Sequence, residues 1–157
     1  MIILKSTIEL NNWFIENINE FGDNMGFVPT MGALHKGHAS LIEKASRECQ
    51  IVVVSILVNP TQFNEKADLE SYPRDLDNDV IVAEKAGATI LFTPTPKDIY
   101  GGTPYAEPVD YGLITSTFEG LSRQGHFDGV VSVVDKLFLA VKPNRAYFGS
   151  KDLQQVA

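Results

Sequence analysis

The sequence predicts an α/β domain built on a parallel sheet, and three observations carry that reading. Apolar strand-like runs alternate with amphipathic helical stretches along the chain. The strongest run, Ile51-Val52-Val53-Val54-Ser55-Ile56-Leu57-Val58, is β-branched without in–out alternation, as a strand covered on both faces is. Glycine-broken turns join two of the strands to helix starts, as in open sheets that bind ligands outside the carboxyl ends of their strands.

Taken in order, Ser6 or Thr7 caps a first helix to about residue 19, with Ile8, Phe14, Ile15 and Ile18 as its apolar side. Phe27-Val28 is a short strand broken at Pro29, and a second helix spans residues 38–49. The strand at 51–58 ends at Asn59-Pro60, and a polar loop runs through Tyr72-Pro73-Arg74. A third helix, 75–86, closes at Gly87; the strand 89–92 stops before Pro94 and Pro96. Residues 97–112 read as irregular, helical patterns return at 113–121 and 130–141, Ala146-Tyr147-Phe148 is a last strand, and Gly149 opens another helix.

The 157 residues suit one domain, which buries roughly 68–70% of its unfolded surface at this size. A net charge of −7 argues against a broad nucleic-acid footprint but leaves room for a small anion at a local positive site. The single cysteine, Cys49, has no intrachain partner and reads as a small helix-face residue. The longest apolar run is too short to span a bilayer and the start has no signal-peptide layout, so the expectation is a cytoplasmic protein with no membrane partner.

The segment Gly26-Phe27-Val28-Pro29-Thr30-Met31-Gly32-Ala33-Leu34-His35-Lys36-Gly37-His38 is the most informative. Unpaired N–H groups and the dipole at a helix start attract phosphate. His35 and His38 lie at that spot, and both can reach one bound phosphate. A bound triphosphate would draw a proton onto His38, placing it to donate as pyrophosphate leaves. The local alternative makes His38 a cap and His35 a surface residue; the glycines and the preceding strand favour phosphate.

Three other loops are candidates. Asn59-Pro60-Thr61-Gln62-Phe63 offers neutral donors and acceptors for a hydroxylated carboxylate, although plain turn chemistry fits its composition better. In Gly149-Ser150-Lys151-Asp152, a lysine at a helix start opposes the dipole unless an anion lies there; an ordinary acidic helix start is the alternative. Arg123 and His126 are ligands or parts of a structured turn. No zinc-like ligand spacing occurs, and the acidic run Asp75-Leu76-Asp77-Asn78-Asp79 reads as a solvated helix start.

The His-x-Gly-His element resembles that of the nucleotidyltransferase superfamily, which handles the α-phosphate of ATP. With Val54 to Phe63, Tyr72-Pro73-Arg74-Asp75, Glu119-Gly120-Leu121-Ser122-Arg123-Gln124-Gly125-His126-Phe127 and Phe148-Gly149-Ser150-Lys151-Asp152-Leu153-Gln154-Gln155, it resembles the pantothenate synthetase (pantoate–β-alanine ligase) family over nearly the whole chain. The resemblance implies a Rossmann-like sheet, with residues 1–157 as the N-terminal domain that binds ATP and pantoate and the family's C-terminal domain absent. It implies a two-step ligation: pantoate attacks ATP to give pantoyl adenylate and pyrophosphate, then β-alanine attacks to give pantothenate and AMP.

By the same resemblance Met31, Gly32, Ala33, Leu34, His35, Lys36, Gly37 and His38 bind ATP together with Gly149, Ser150, Lys151 and Asp152. His38 is the proton donor, with His35 and Lys151 the other catalytic groups. Lys151 lies on phosphate and Asp152 on ribose. Gln62 contacts pantoate and β-alanine, and Gln155 contacts pantoate. ATP brings Mg²⁺, no resident metal site is implied, and a homodimer is. Ser150 stands where the family usually has Glu, and Gln124 where Pro is usual. Without the C-terminal domain, weak or no ligation is expected. Competing readings are a nucleotidyltransferase acting on a phosphorylated vitamin, a noncatalytic substrate-binding or dimerisation fragment, and, least favoured by the acidic charge, an aminoacyl-tRNA synthetase piece.

Overall fold

The computed structural model describes residues 1–21, 24–60, 66–101 and 126–149. Strands β1 (Ile2–Leu4), β2 (Met25–Thr30), β3 (Ile51–Ile56), β4 (Ile90–Phe92) and β5 (Arg145–Ala146) form one sheet in the order β1-β4-β3-β2-β5. Every pairing is parallel. Among the described residues the helices are α1 (Thr7–Phe21), α2 (Lys36–Glu48), α3 (Lys66–Ser71), α4 (Leu76–Ala86), α5 (Pro96–Tyr100) and α6 (His126–Val141).

Both faces of the sheet are covered. Val52 and Val54 of β3 face the layer of Ile42 and Ala45 from α2 and Ala83 and Ala86 from α4. Ile51 and Val53 face Leu10 of α1, Tyr100 of α5 and Val133, Leu137 and Val141 of α6. This accounts for the unalternating run, since both side-chain sets are buried. Each such valine contributes roughly 1.5–3 kcal/mol relative to exposure.

The connections fix where a ligand can sit. From β2 the chain steps to β3 and then β4 in one direction, with α2 and α4 on one face. It then crosses back over the other face, through α5 and α6, to place β5 on the far side of β2. The strand order reverses between β2 and β5, and such reversals open a crevice at the strand carboxyl ends. Tyr147 N donates to Phe27 O at 2.9 Å, so the chain leaving β5 runs beside the one leaving β2.

Several sequence expectations are corrected. The N-terminal Ile2–Leu4 is an edge strand paired with β4, where no strand was expected. On α1, Ile8 and Ile15 are exposed (71% and 66%), while Leu10 is buried and Trp13 and Phe14 are half-buried. Asp98 accepts hydrogen bonds from Thr7 N (2.8 Å) and Thr7 Oγ1 (3.0 Å), which pins the helix start and fixes which stripe meets the sheet. Pro29 does not end β2, which continues to Thr30. Phe27 bonds towards β5, so Pro29, two residues on, would direct its missing N–H past the end of that two-residue strand. The polar stretch before Tyr72 contains the short helix α3, and Thr95 caps α5 within the stretch read as irregular. The helical pattern at 113–121 and the helix after Gly149 lie outside the described residues.

Candidate functional site

The crevice is built from the end of β2 upward. Thr30 Oγ1 donates to Ser55 O (2.7 Å) and accepts from Gly32 N (3.1 Å), closing the first bend. Gly32 (φ +83°) and Ala33 (φ +52°) then take left-handed backbone, rare for a residue with a Cβ. A Cβ on Gly32 would stand 3.0 Å from Asp79 Oδ2 and 3.1 Å from Ile56 Cγ2, so this position needs glycine on two counts.

Asp79 holds the turn from across the structure. It lies in the first turns of α4, is 2% exposed, and accepts from Ala33 N (3.1 Å) and Leu34 N (2.7 Å). The acidic run is therefore not simply a solvated helix start. Asp75 caps α4 by accepting from Asn78 N and Asp77 is exposed, but Asp79 is turned inward. Burial first, then the charge of Asp79, pushes the Tyr72 phenol above its ordinary value. Leu34 is buried in the α2–α4 layer, and its N–H is bonded to Asp79.

His35 is the N-cap of α2, extended at φ −134° and ψ −172°. Its Nδ1 accepts from Gly37 N at 3.0 Å, and its own N–H donates to His38 Nδ1 at 3.2 Å. The two imidazoles form a reciprocal capping box with ring centroids 4.1 Å apart. The structure thus brings His35 and His38 together at the start of α2, as the spacing implied. Capping and a functional role are not alternatives here, because the cap itself sets the ring positions. The backbone donors differ from the expectation of open amides: those of Ala33 and Leu34 are taken by Asp79, and that of Gly37 by His35. Lys36 and Gly37 are exposed, Met31 and His38 half-buried.

The far end of α2 meets the chain leaving β5. Tyr147 O–H donates to Glu48 Oε2 at 2.6 Å and lies 3.5 Å from Cys49 Sγ. Burial, then its contacts with Cys49 and Glu48, push the Tyr147 phenol up. The Tyr147 hydrogen bond is the main reason that Glu48 lies below the usual carboxylate value; Lys44 and Arg145 add to it, against an opposing effect of burial. Gly26 lets these groups close up, since a Cβ there would stand 3.0 Å from Cys49 Sγ and 3.1 Å from Tyr147 Cε2.

Asn59, at the carboxyl end of β3, is fully buried and its Oδ1 accepts from Tyr100 O–H at 2.7 Å. It ties the loop after β3 to α5. Gly149 lies beyond β5, half-buried. Gln62, Arg123, Ser150, Lys151, Asp152 and Gln155 lie outside the described residues, as does the side chain of His126. Among the described residues no group of three or more His, Cys, Asp or Glu gathers to hold a metal ion, and no helix is long and apolar enough to cross a membrane. Sequence reasoning missed Asp79; its one legible signal was a carboxylate one turn after the Asp75 cap, on the side of α4 that carries Ala83 and Ala86.

Comparison with known proteins adds independent findings. The family model described as pantoate-beta-alanine ligase matches residues 2–157. A pantothenate synthetase of Bacillus velezensis is 57% identical over 136 residues, 87% of this chain and 47% of that protein. One from Porphyromonas gingivalis is 46% identical over 157 residues, 100% of this chain and 55% of its own length. The crystal structure of a Francisella tularensis pantoate-beta-alanine ligase, complexed with beta-gamma ATP and beta-alanine, superposes with a TM-score of 0.91 at 44% identity, covering 99% of this chain and 59% of the other. The Thermus thermophilus pantothenate synthetase structure gives 0.86 at 43%, covering 99% and 54%. The chain spans about half the length of the curated relatives it matches.

Proposed function

Since the chain belongs to the pantoate–β-alanine ligase family, we propose that it provides the nucleotide- and acid-binding half of an ATP-dependent ligation of pantoate to β-alanine. The observation that carries this reading is the histidine pair capping α2 beside the crevice between β2 and β5. A neighbour at TM-score 0.91, named as a complex with beta-gamma ATP and beta-alanine, supports it.

In this reading ATP lies across the ends of β2 and β5, with its phosphates over the start of α2. The pantoate carboxylate attacks the α-phosphorus, the bond to the bridging oxygen breaks, and pyrophosphate leaves. His38 and His35 steady the charge that gathers on the phosphate oxygens, helped by the helix dipole and Lys36. Lys151 adds a cation on phosphate, and Gly149, Ser150 and Asp152 hold the nucleotide. Gln62 and Gln155 orient pantoate. The amine of β-alanine, received at Gln62, then attacks the acyl carbonyl, and AMP leaves as the amide forms. The described residues offer no protein cage for Mg²⁺, and Asp79 is committed to two backbone N–H groups. In this reading Mg²⁺ would arrive with the substrate as Mg-ATP and neutralise phosphate charge there. Residues 1–157 as one N-terminal domain, a cytoplasmic setting and pairing of two copies rest on the family resemblance.

Calorimetry of pantoate binding to this chain, with and without Mg-ATP, tests the reading. Saturable binding that Gln62→Ala abolishes supports it. A folded chain that binds neither pantoate nor Mg-ATP counts against it.

A further inference from the structure

Residues 31–34, which lead to the histidines, lie between the end of β2 and the cap of α2. The shape of this turn depends on Thr30 at the start and on Asp79 in the middle. Asp79 reaches it from α4, more than forty residues away in sequence, and brings a charged carboxylate into a nearly dry position. Two backbone N–H groups are its hydrogen-bond donors there, and charge-assisted bonds of this kind are about twice as strong as neutral ones. Remove them and Gly32 and Ala33 have little reason to stay left-handed.

The next residue feels this directly. His35 is extended because the turn delivers it so, and in that geometry its N–H meets His38 Nδ1 while its own Nδ1 meets Gly37 N–H. A backbone N–H can only donate, so each Nδ1 must be bare and the ring proton must sit on Nε2. We propose that Asp79 is the positioning residue of the histidine pair: by bonding Ala33 and Leu34 it holds the turn that locks both His35 and His38 as Nε2–H tautomers, so that each presents a proton from Nε2 and none from Nδ1. This deepens the proposed function, since it names the nitrogen from which a phosphate oxygen receives its hydrogen bond. Asp79 touches no reacting atom in this scheme and acts through the turn.

The test reads the turn itself without nucleotide, so it stands apart from the ligation reading. The chain is labelled with ¹⁵N and its imidazoles are followed by long-range ¹H–¹⁵N spectra at neutral pH. The unmodified chain should show the Nε2–H pattern at both rings, and a hydrogen-bond coupling between Leu34 N and the Asp79 carboxyl carbon. Asp79→Asn should average the His35 pattern towards that of free imidazole and lower the exchange protection of the Ala33 and Leu34 amides about tenfold or more. Asp77→Asn, an exposed change on the same helix turn, and Val53→Ala, a core cavity that lowers overall stability, should leave the imidazole pattern alone. The proposal falls if His35 or His38 carries its proton on Nδ1, if the Leu34–Asp79 coupling is absent, or if Val53→Ala scrambles the rings as Asp79→Asn does. The first two readings use the unmodified chain, so they decide the matter even if Asp79→Asn does not fold.

Discussion

Helix α2 is held at its N-terminus by two imidazoles at the surface and at its C-terminus by a phenol that is nearly dry. At the first end, His35 and His38 satisfy backbone N–H groups, with His35 exposed and His38 half-buried. At the second, Tyr147 reaches back to Glu48 and Cys49. The difference separates two tasks. The C-terminal contact joins α2 to the chain leaving β5 and is packed tightly enough to fix one strand against one helix. The N-terminal contact spends no polar group on the core except Asp79, and it uses each ring's Nδ1 to accept from a backbone N–H. A helix anchored at one end can carry reactive groups at the other without those groups having to hold it in place.

The largest expected effect falls on the packed end. Gly26→Val puts a branched side chain where even a Cβ would press on Cys49 and Tyr147, and should destabilise the chain by about 3 kcal/mol in urea unfolding. An effect below about 1 kcal/mol would show that this end is looser than described. Next comes the cap. His35→Ala should lose about 1 kcal/mol, while His35→Asn, whose carbonyl can accept from the same backbone, should stay near the parent. If both change stability equally, the cap is not what His35 contributes.

Tyr147→Phe should lower the urea midpoint by less, and its effect should depend on pH. Glu48 lies below its ordinary value in the fold, so its contribution is whole above the usual carboxylate range and fades as pH falls through the lowered value. Tyr147 lies above its ordinary value, so its contribution is whole below the usual phenol range and fades as pH rises through the raised value. The gap between parent and variant should therefore be widest near neutrality and close in acid; a gap that stays constant from neutrality into acid would remove Glu48 from the account. The smallest effect belongs to the solvated flank of the helix. Arg47→Ala breaks only the 3.9 Å pair with Glu43 and should change stability by less than about 0.5 kcal/mol.

What could be read from the sequence divides along the same physical line. The β3 run, the cap and close of α4, and the histidines at the start of α2 were legible because local pattern determines them. The exposed stripe of α1 was not, since Asp98 on α5 sets which face of α1 turns inward. Pro29 looked like a strand end because nothing local says that β5 is too short to need its N–H. Asp79 looked like one more solvated carboxylate, and only the turn packed against it makes it an internal acceptor. Each miss is a residue whose role depends on a partner distant in the chain.

The strand order also has a consequence in time. From β2 to β4 each strand pairs with its successor, across α2 in the first connection and across α3 and α4 in the second. The outer strands have no such neighbour: Ile2 must wait for Ile90, and Gly26 for Arg145. Closing long loops carries its entropic charge before any contact repays it, so nearby pairings tend to form first. On a ribosome, the central three strands can come together once Phe92 is clear of the exit tunnel. The crevice between β2 and β5 takes shape more than fifty residues later than β4, when a strand only two residues long arrives.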